Sequence, residues 1–373
     1  MSGIYIHIPF CKQKCIYCNF YSVGGINLKD DFIRTLLKEI DLKQNYLKCN
    51  NINTIYFGGG TPSLLSCDEI NIIIEKIEQY FSVSNNAEIT LEANPDDLTK
   101  EYLKELFLTK INRLSIGVQS FNDNALIYLN RRHNSQRAIK AIEDARNVGF
   151  TNFSIDLIYG IPNQNDFEWV KNLDKANELV IPHLSCYALT VEEQTPLFQK
   201  ISKYKIASPN DEDSMRQFDI LMDFAENNNY LQYEISNFCK DNKLSKHNSS
   251  YWQGTPYIGV GPSAHSYNGT KREWNISNVK QYIEAIENNL QFSEYEILTT
   301  DDCYNEYIMT GLRTHIGCSF DEIKNLFGEK YKNYAKKQLL KTESNLFSLE
   351  NQIFTLTKIG KHFADGIASK LFI

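Results

Sequence analysis

Three cysteines, Cys11, Cys15 and Cys18, fall within eight residues of one another in IPFCKQKCIYCNFY, and Phe20 stands two positions after the last of them. Thiolates this close suit soft metals: zinc in a closed four-ligand site, or iron in an iron-sulfur cluster. Zinc wants a fourth ligand. His7 lies inside the preceding apolar run and is poorly placed to fold back, and no second cysteine pair follows at the spacing of a zinc module. A 4Fe-4S cluster has four irons, each ordinarily held by one cysteine, so three cysteines leave one iron with an open position that a substrate can take. Chance clustering of buried thiols is the plain alternative, which only the surrounding residues can decide.

Further along, β-rich runs end in glycine or polar residues. YF is followed by GGGTP (Gly58–Pro62), TL by Glu92 and the turn NPDD, SIGV by Gln119 and Ser120, and the run holding Asp156 by YGIP. Glycines without side chains let backbone amides approach a ligand, and an unpaired carboxylate such as Asp156 would carry a desolvation cost unless it served a purpose. LNRRH carries Arg131 and Arg132, for which a helix-end cation interacting with the dipole is the neutral reading.

These residues need a scaffold. Up to about residue 190 the chain alternates short β-rich runs with amphipathic stretches, the pattern of βα units around a parallel sheet. Strands are predicted at Ile4–Ile8, Thr54–Phe57, Glu88–Glu92, Leu114–Val118, Phe153–Leu157 and His183–Tyr187. Ser66 and Glu69 read as a capping box, Ser135 as a cap, and Gly149 as a helix stop. In a parallel barrel every strand's C-terminal end opens onto one rim, so the cysteine loop, the glycine loop and the polar residues would surround one ligand. A helix over about 212–226 follows, then an irregular aromatic and glycine-rich part, then helices and a hairpin near Asn351 that resemble a winged helix. The expected organisation is a core at 1–230, an extension at 231–290 and a helical domain at 291–373.

The C-x3-C-x2-C spacing, with Tyr17 just before the last cysteine, resembles the signature of the radical S-adenosylmethionine (SAM) superfamily. The resemblance spans more than half the chain and implies an α/β fold: a partial (β/α)6, TIM-like barrel with a smaller, mostly helical, winged-helix-like C-terminal domain. It implies a 4Fe-4S cluster on Cys11, Cys15 and Cys18, whose fourth iron chelates the amino and carboxylate groups of SAM. Tyr5 and Tyr17 would flank the cluster and adenine region, Gly59, Gly60 and Thr61 line the methionine side, Glu92 receive a polar group, and Gln119, Arg131 and Asp156 complete the pocket. An electron from the cluster would cleave the sulfonium to a 5'-deoxyadenosyl radical, chemistry carried by the cofactor.

Within the superfamily, YEISNF (Tyr233–Phe238), GVGPSAHS (Gly259–Ser266) and the C-terminal part are similar to the group of oxygen-independent coproporphyrinogen III oxidase and its haem-chaperone relatives. The oxidase branch carries a further cysteine two residues after the third and an N-terminal extension; Phe20 and the short stretch before Cys11 depart from it. The chaperone branch carries H-N-x-x-Y-W, matched by His247, Asn248, Tyr251 and Trp252. Histidine or tyrosine can ligate haem iron, and aromatic rings offer a porphyrin a flat apolar surface. Without the resemblance, a loop histidine and core aromatics would explain these residues. His265 ranks below His247 as a ligand, and Arg272 and Asn275 could reach a propionate, although an exposed loop arginine is the usual explanation.

The implied function is a haem chaperone that binds haem, a 4Fe-4S cluster and SAM and delivers haem to acceptors such as respiratory cytochromes. The rival is coproporphyrinogen III dehydrogenase; oxidase activity is not expected, and whether the radical forms stays open. A net charge of -7 gives no electrostatic case for nucleic acid, and charged residues balance in the C-terminal part. No apolar run approaches the roughly 20 residues of a spanning helix. The opening run has no basic region or cleavage site, and the nine cysteines form no disulfide framework, so the expectation is a cytoplasmic protein with at most peripheral membrane contact. Homodimer formation is left open.

Overall fold

The computed structural model describes residues 2–373. Six strands, β1 (Ser2–Ile8), β2 (Asn51–Gly59), β3 (Ser82–Ala93), β4 (Arg113–Gln119), β5 (Phe153–Tyr159) and β6 (His183–Ala188), lie side by side in chain order and run parallel. Each contains one of the predicted strands. Their sequences alternate: Ile4, Ile6, Ile8, Ile55, Phe57, Leu91, Ile116 and Leu157 are buried on one face, while Glu92, Ser115 and Asp156 on the other line the interior.

The helices between strands cover the outer face, as the 3.6-residue period requires. Lys29–Leu42 buries Phe32, Ile33, Leu36 and Ile40, and Cys67–Glu78 buries Ile70, Ile73, Ile74 and Ile77. Ser66 and Glu69 form the expected capping box: the Glu69 amide donates to Ser66 Oγ at 3.2 Å and the Ser66 amide to Glu69 Oε2 at 2.7 Å. The helix Ser135–Val148 is capped one residue earlier than predicted, by Asn134, and ends at Gly149 with φ at +124°.

Residues 231–290 hold more regular structure than their pattern suggests. Tyr257–Val260 pairs in parallel with β1, extending the barrel sheet by a strand, and His265–Tyr267, Lys271–Asn275 and Ser293–Ile297 continue it antiparallel. On the other edge Asn237–Cys239 pairs antiparallel with β6, and Leu231–Gln232 antiparallel with it in turn. The sheet therefore counts twelve strands, its parallel part a partial barrel.

The C-terminal part has its own core around Tyr304, Ile308, Phe320, Ile323, Phe354 and Ile367. Helices Thr300–Leu312, Phe320–Phe327, Glu329–Leu339 and Ala364–Lys370 pack with a three-stranded sheet made of Cys318–Ser319, Ile353–Leu356 and Phe347–Glu350. Asn351 and Gln352 both take positive φ at the hairpin turn, which suits the twist of a tight two-residue connection. No helix among the described residues is long and apolar enough to cross a membrane.

Candidate functional site

The C-terminal ends of the parallel strands open into a cavity of about 1340 Å³. Its wall contains every residue expected around the cluster and cofactor: Cys11, Cys15, Cys18, Tyr5, Tyr17, Gly59, Gly60, Thr61, Glu92, Gln119, Arg131 and Asp156. Of the second motif, His247, Asn248 and Tyr251 face the same cavity, and so do His265 and residues 361–366 of the C-terminal part. The sequence separates the two motifs widely; the sheet joins them because Tyr257–Val260, just beyond the HNSSYW helix, pairs with β1.

The cysteine loop grows out of β1 and is clamped at its base. Phe10–Cys11 pairs with Val23–Gly24, and the Gly25 amide donates to the Cys11 carbonyl at 3.1 Å. Lys12 Nζ reaches the buried Asp97 carboxylate at 2.7 Å, and Asn130 Nδ2 donates to the Lys14 carbonyl at 3.1 Å. A chain of hydrogen bonds then runs from thiol to thiol. Thr61 Oγ1 donates to Cys11 Sγ at 3.4 Å, Asn94 Nδ2 to Thr61 Oγ1 at 3.3 Å, Arg131 Nη2 to Asn94 Oδ1 at 2.6 Å, and Arg131 Nη1 to Cys15 Sγ at 3.2 Å. Arg131 is also fixed by the Gly117 carbonyl at 2.7 Å, whereas Arg132 points to Asp96 outside the cavity.

These donors fix the Cys11 and Cys15 sulfurs in place. Among the described residues, no three His, Cys, Asp or Glu side chains converge on a point where a single metal ion could sit. The thiols are nonetheless near enough that Cys15 and Cys11, after burial, help push Cys18 up to about 11. Such a set fits a cluster whose irons take one sulfur each better than it fits one zinc ion. Phe20, on the rim and 67% exposed, leaves the stretch without a fourth thiol.

The floor is polar and strained. Glu92 accepts from the Tyr56 hydroxyl at 2.8 Å and the Gly59 amide at 3.2 Å, and burial pushes it up to about 7. Asp156 is pushed up to about 6, again by burial, with the buried Arg113 guanidinium and the Ser185 and Ser115 hydroxyls opposing. Gln119 sits at a break in register between β4 and β5 with φ at +67°, a conformation costing about 1–3 kcal/mol in a non-glycine residue, which turns the chain end into the cavity.

The glycine loop works differently from the expectation that its amides await a ligand. The Gly59 amide is taken by Glu92 and the Gly60 amide donates to the Ile8 carbonyl at 2.8 Å. Side chains are excluded here by close packing: a Cβ on Gly59 would lie 2.6 Å from the His7 ring, and one on Gly60 2.7 Å from the Phe10 carbonyl.

His247 is buried on the helix Lys246–Trp252 with both ring nitrogens engaged, Nδ1 with Thr54 Oγ1 at 2.8 Å and Nε2 with the Tyr251 hydroxyl at 2.9 Å. Burial, reinforced by Arg113, lowers its pKa to about 3, so it is neutral. Its ring stacks on Tyr56 at 5.0 Å, and Tyr5 lies against Tyr56 at 6.2 Å, giving one wall an aromatic face. Trp252 does not reach the cavity; Arg313 of the C-terminal part lies over its ring at 5.4 Å.

Two expected propionate partners are used elsewhere. Arg272 Nη2 pairs with Glu306 at 2.7 Å, and Asn275, buried, donates to Glu39 at 2.7 Å and to the Gly261 carbonyl at 2.8 Å. Neither lines the cavity. Asn94, by contrast, went unread in the sequence. Its position after Glu92, opening the NPDD turn at the end of β3, was the available signal.

Comparison with known proteins agrees with this geometry. The radical SAM superfamily profile matches residues 5–176. The chain is 36% identical over 335 residues to a Bacillus subtilis protein named heme chaperone HemW, covering 89% of this chain and 87% of that one. It is 32% identical over 375 residues to the Mycobacterium tuberculosis (H37Rv) protein of the same name, covering 99% and 94%. Among solved structures, Escherichia coli coproporphyrinogen III oxidase (HemN), a radical SAM enzyme, superposes with a TM-score of 0.86 over all of this chain and 90% of its own, at 22% identity.

Proposed function

Taking as premise that this chain belongs to the HemW family of radical SAM proteins, we propose that it is a haem chaperone that carries a 4Fe-4S cluster and SAM and hands haem to acceptor proteins. The observation that carries the reading is the shared cavity: the three thiols and the aromatic face of His247 and Tyr251 look into one space. A volume of about 1340 Å³ exceeds the roughly 300–1,000 Å³ of ordinary small-molecule sites. There is room for a porphyrin beside a nucleoside.

On this reading Cys11, Cys15 and Cys18 hold the cluster, and bound SAM supplies radical chemistry if it is reduced. The chain's own residues orient and exclude. Arg131 and Thr61 fix two of the sulfurs in place, Glu92 and Asp156 offer acceptors to donor groups of a nucleoside, and Tyr5 and Tyr17 wall the site. Respiratory proteins are the proposed acceptors and the cytoplasm the proposed compartment, in keeping with nine free cysteines.

Anaerobic reconstitution with iron and sulfide, haem titration and a coproporphyrinogen turnover assay, run on the same preparation, test the proposal. We expect a brown protein that loses its chromophore in Cys15→Ala, takes up haem and leaves coproporphyrinogen unconsumed. Turnover of coproporphyrinogen without haem uptake would replace the chaperone with an oxidase.

A further inference from the structure

Four imidazoles line the cavity, those of His7, His247, His265 and His362. To bind iron, a histidine needs a ring nitrogen whose lone pair is free to face it. His7 has Nδ1 at 3.1 Å from the Tyr5 hydroxyl and Nε2 at 2.9 Å from the Tyr21 carbonyl. His247 is committed at both nitrogens to Thr54 and Tyr251. Freeing either would leave a buried hydroxyl without its partner. His362 places Nε2 at 2.9 Å from Asp219, and although its Nδ1 has no hydrogen-bond partner among the described residues, its ring is buried edge-on against Phe218 at 5.1 Å, tying the C-terminal part to the barrel.

His265 differs from all three. Among the described residues nothing hydrogen-bonds to its ring; its electrostatic neighbours are Arg272 and Glu296, with Trp274 tilted at 6.3 Å. It is exposed toward the cavity, yet its backbone is not free to move. It opens the strand His265–Tyr267, where it pairs with Trp274. A Cβ on Gly259 would lie 2.0 Å from the His265 carbonyl, and one on Gly261, at φ +98°, 2.4 Å from the His7 carbonyl. These two glycines let the turn and strand dock directly on the end of β1, where the cysteine loop begins. A free imidazole is thus presented on rigid backbone beside the mouth of the cluster pocket, which is what a metal ligand needs.

We propose that His265, and not His247, supplies the axial nitrogen to haem iron, while His247 and Tyr251 form the aromatic wall against which the porphyrin lies. The assignment rests on the haem-chaperone reading above and adds the ligand to it. It also fits a chaperone, because a ligand at the rim can be exchanged for one from an acceptor without opening the buried wall.

The test is titration of ferric haem into the reconstituted full chain, followed by Soret absorbance and electron paramagnetic resonance, for wild type, His265→Ala, His265→Gln and His247→Gln. Expected is an imidazole-ligated spectrum in wild type; His247→Gln, which alters the wall, should bind haem more weakly yet show the same imidazole ligation at saturation. Both His265 variants should lose it, with about tenfold or weaker binding, keep their cluster absorbance, and regain the spectrum on addition of free imidazole. A wild-type spectrum in both His265 variants, or a His247→Gln that binds haem without imidazole ligation and regains it only with free imidazole, overturns the assignment while leaving the chaperone reading standing. A wild type that takes up no haem overturns that reading, and the ligand with it.

Discussion

At Glu92 the fold holds a carboxylate in a state that only a proton or a ligand relieves. Burial raises it to about 7 from an ordinary 4.5, the Tyr56 hydroxyl and Gly59 amide pulling it back and Asp156 pushing it further. The unfolded chain therefore releases this proton first as pH rises. Between about 4.5 and about 7 the folded state holds the proton that the unfolded state has lost, so this group's contribution to stability falls through that window and is level above it. The ceiling is about 3 kcal/mol, and less is expected because the carboxylate faces an open cavity. Glu92→Gln should thus raise the melting temperature relative to wild type more at pH 8 than at pH 5. Losing one acceptor for Tyr56 or Gly59 offsets both values equally, so the pH dependence of the difference is the readout. Equal differences at the two pH values would mean that Glu92 ionises normally. SAM bound at this carboxylate should flatten the slope, since its donors would stabilise the charged form.

Among the elements, the helix Ser135–Val148 separates what sequence can tell from what it cannot. Serine and asparagine are both good caps, and both stand at this helix start. The fold uses Asn134, whose side chain accepts from the Arg137 amide at 2.9 Å, while the Ser135 amide donates to Asp123 at 2.7 Å. Asn134→Ala should cost about 1 kcal/mol by denaturant titration and Ser135→Ala close to nothing; the reverse order would move the cap back to the serine. The six barrel strands were legible because one face of each is a regular row of apolar residues between turn signals, and the Ser66 cap because its two halves lie three residues apart. Local sequence carries such signals. It does not carry partners at long range: Tyr257–Val260 is four residues long and becomes a barrel strand only by meeting β1, and Asn275 is buried only because Glu39 and Lys43 arrive from the first helix. The same limit hid Asn94, whose role depends on Thr61 and Arg131 lying on either side of it. It also hid the engagement of both His247 nitrogens, since Thr54 lies 193 residues away.

For the molecule as a whole, two cores meet across a largely polar boundary that borders the cavity. The C-terminal part reaches the barrel through His362 and Asp219, Lys358 and Asp223, and Lys361 and Gln232 at 2.7 Å, while Arg272 on the sheet extension pairs with Glu306. Residues 361–366 lie in the cavity wall, yet none of the three cysteines touches the smaller core. Separate cores joined by polar contacts can lose order one at a time. Phe354 is fully buried in the small core, 5.0 Å from Phe320, so Phe354→Ala should cost about 3–5 kcal/mol there. On heating reconstituted Phe354→Ala, far-ultraviolet circular dichroism should show an early loss of helix from 300–373 while the cluster chromophore persists to the wild-type temperature. Haem affinity should fall with the first step, because one wall of the cavity goes with it. Coincident loss of helix and chromophore would instead mean that the two cores unfold as one cooperative unit, and that the C-terminal part helps hold the cysteine loop in place.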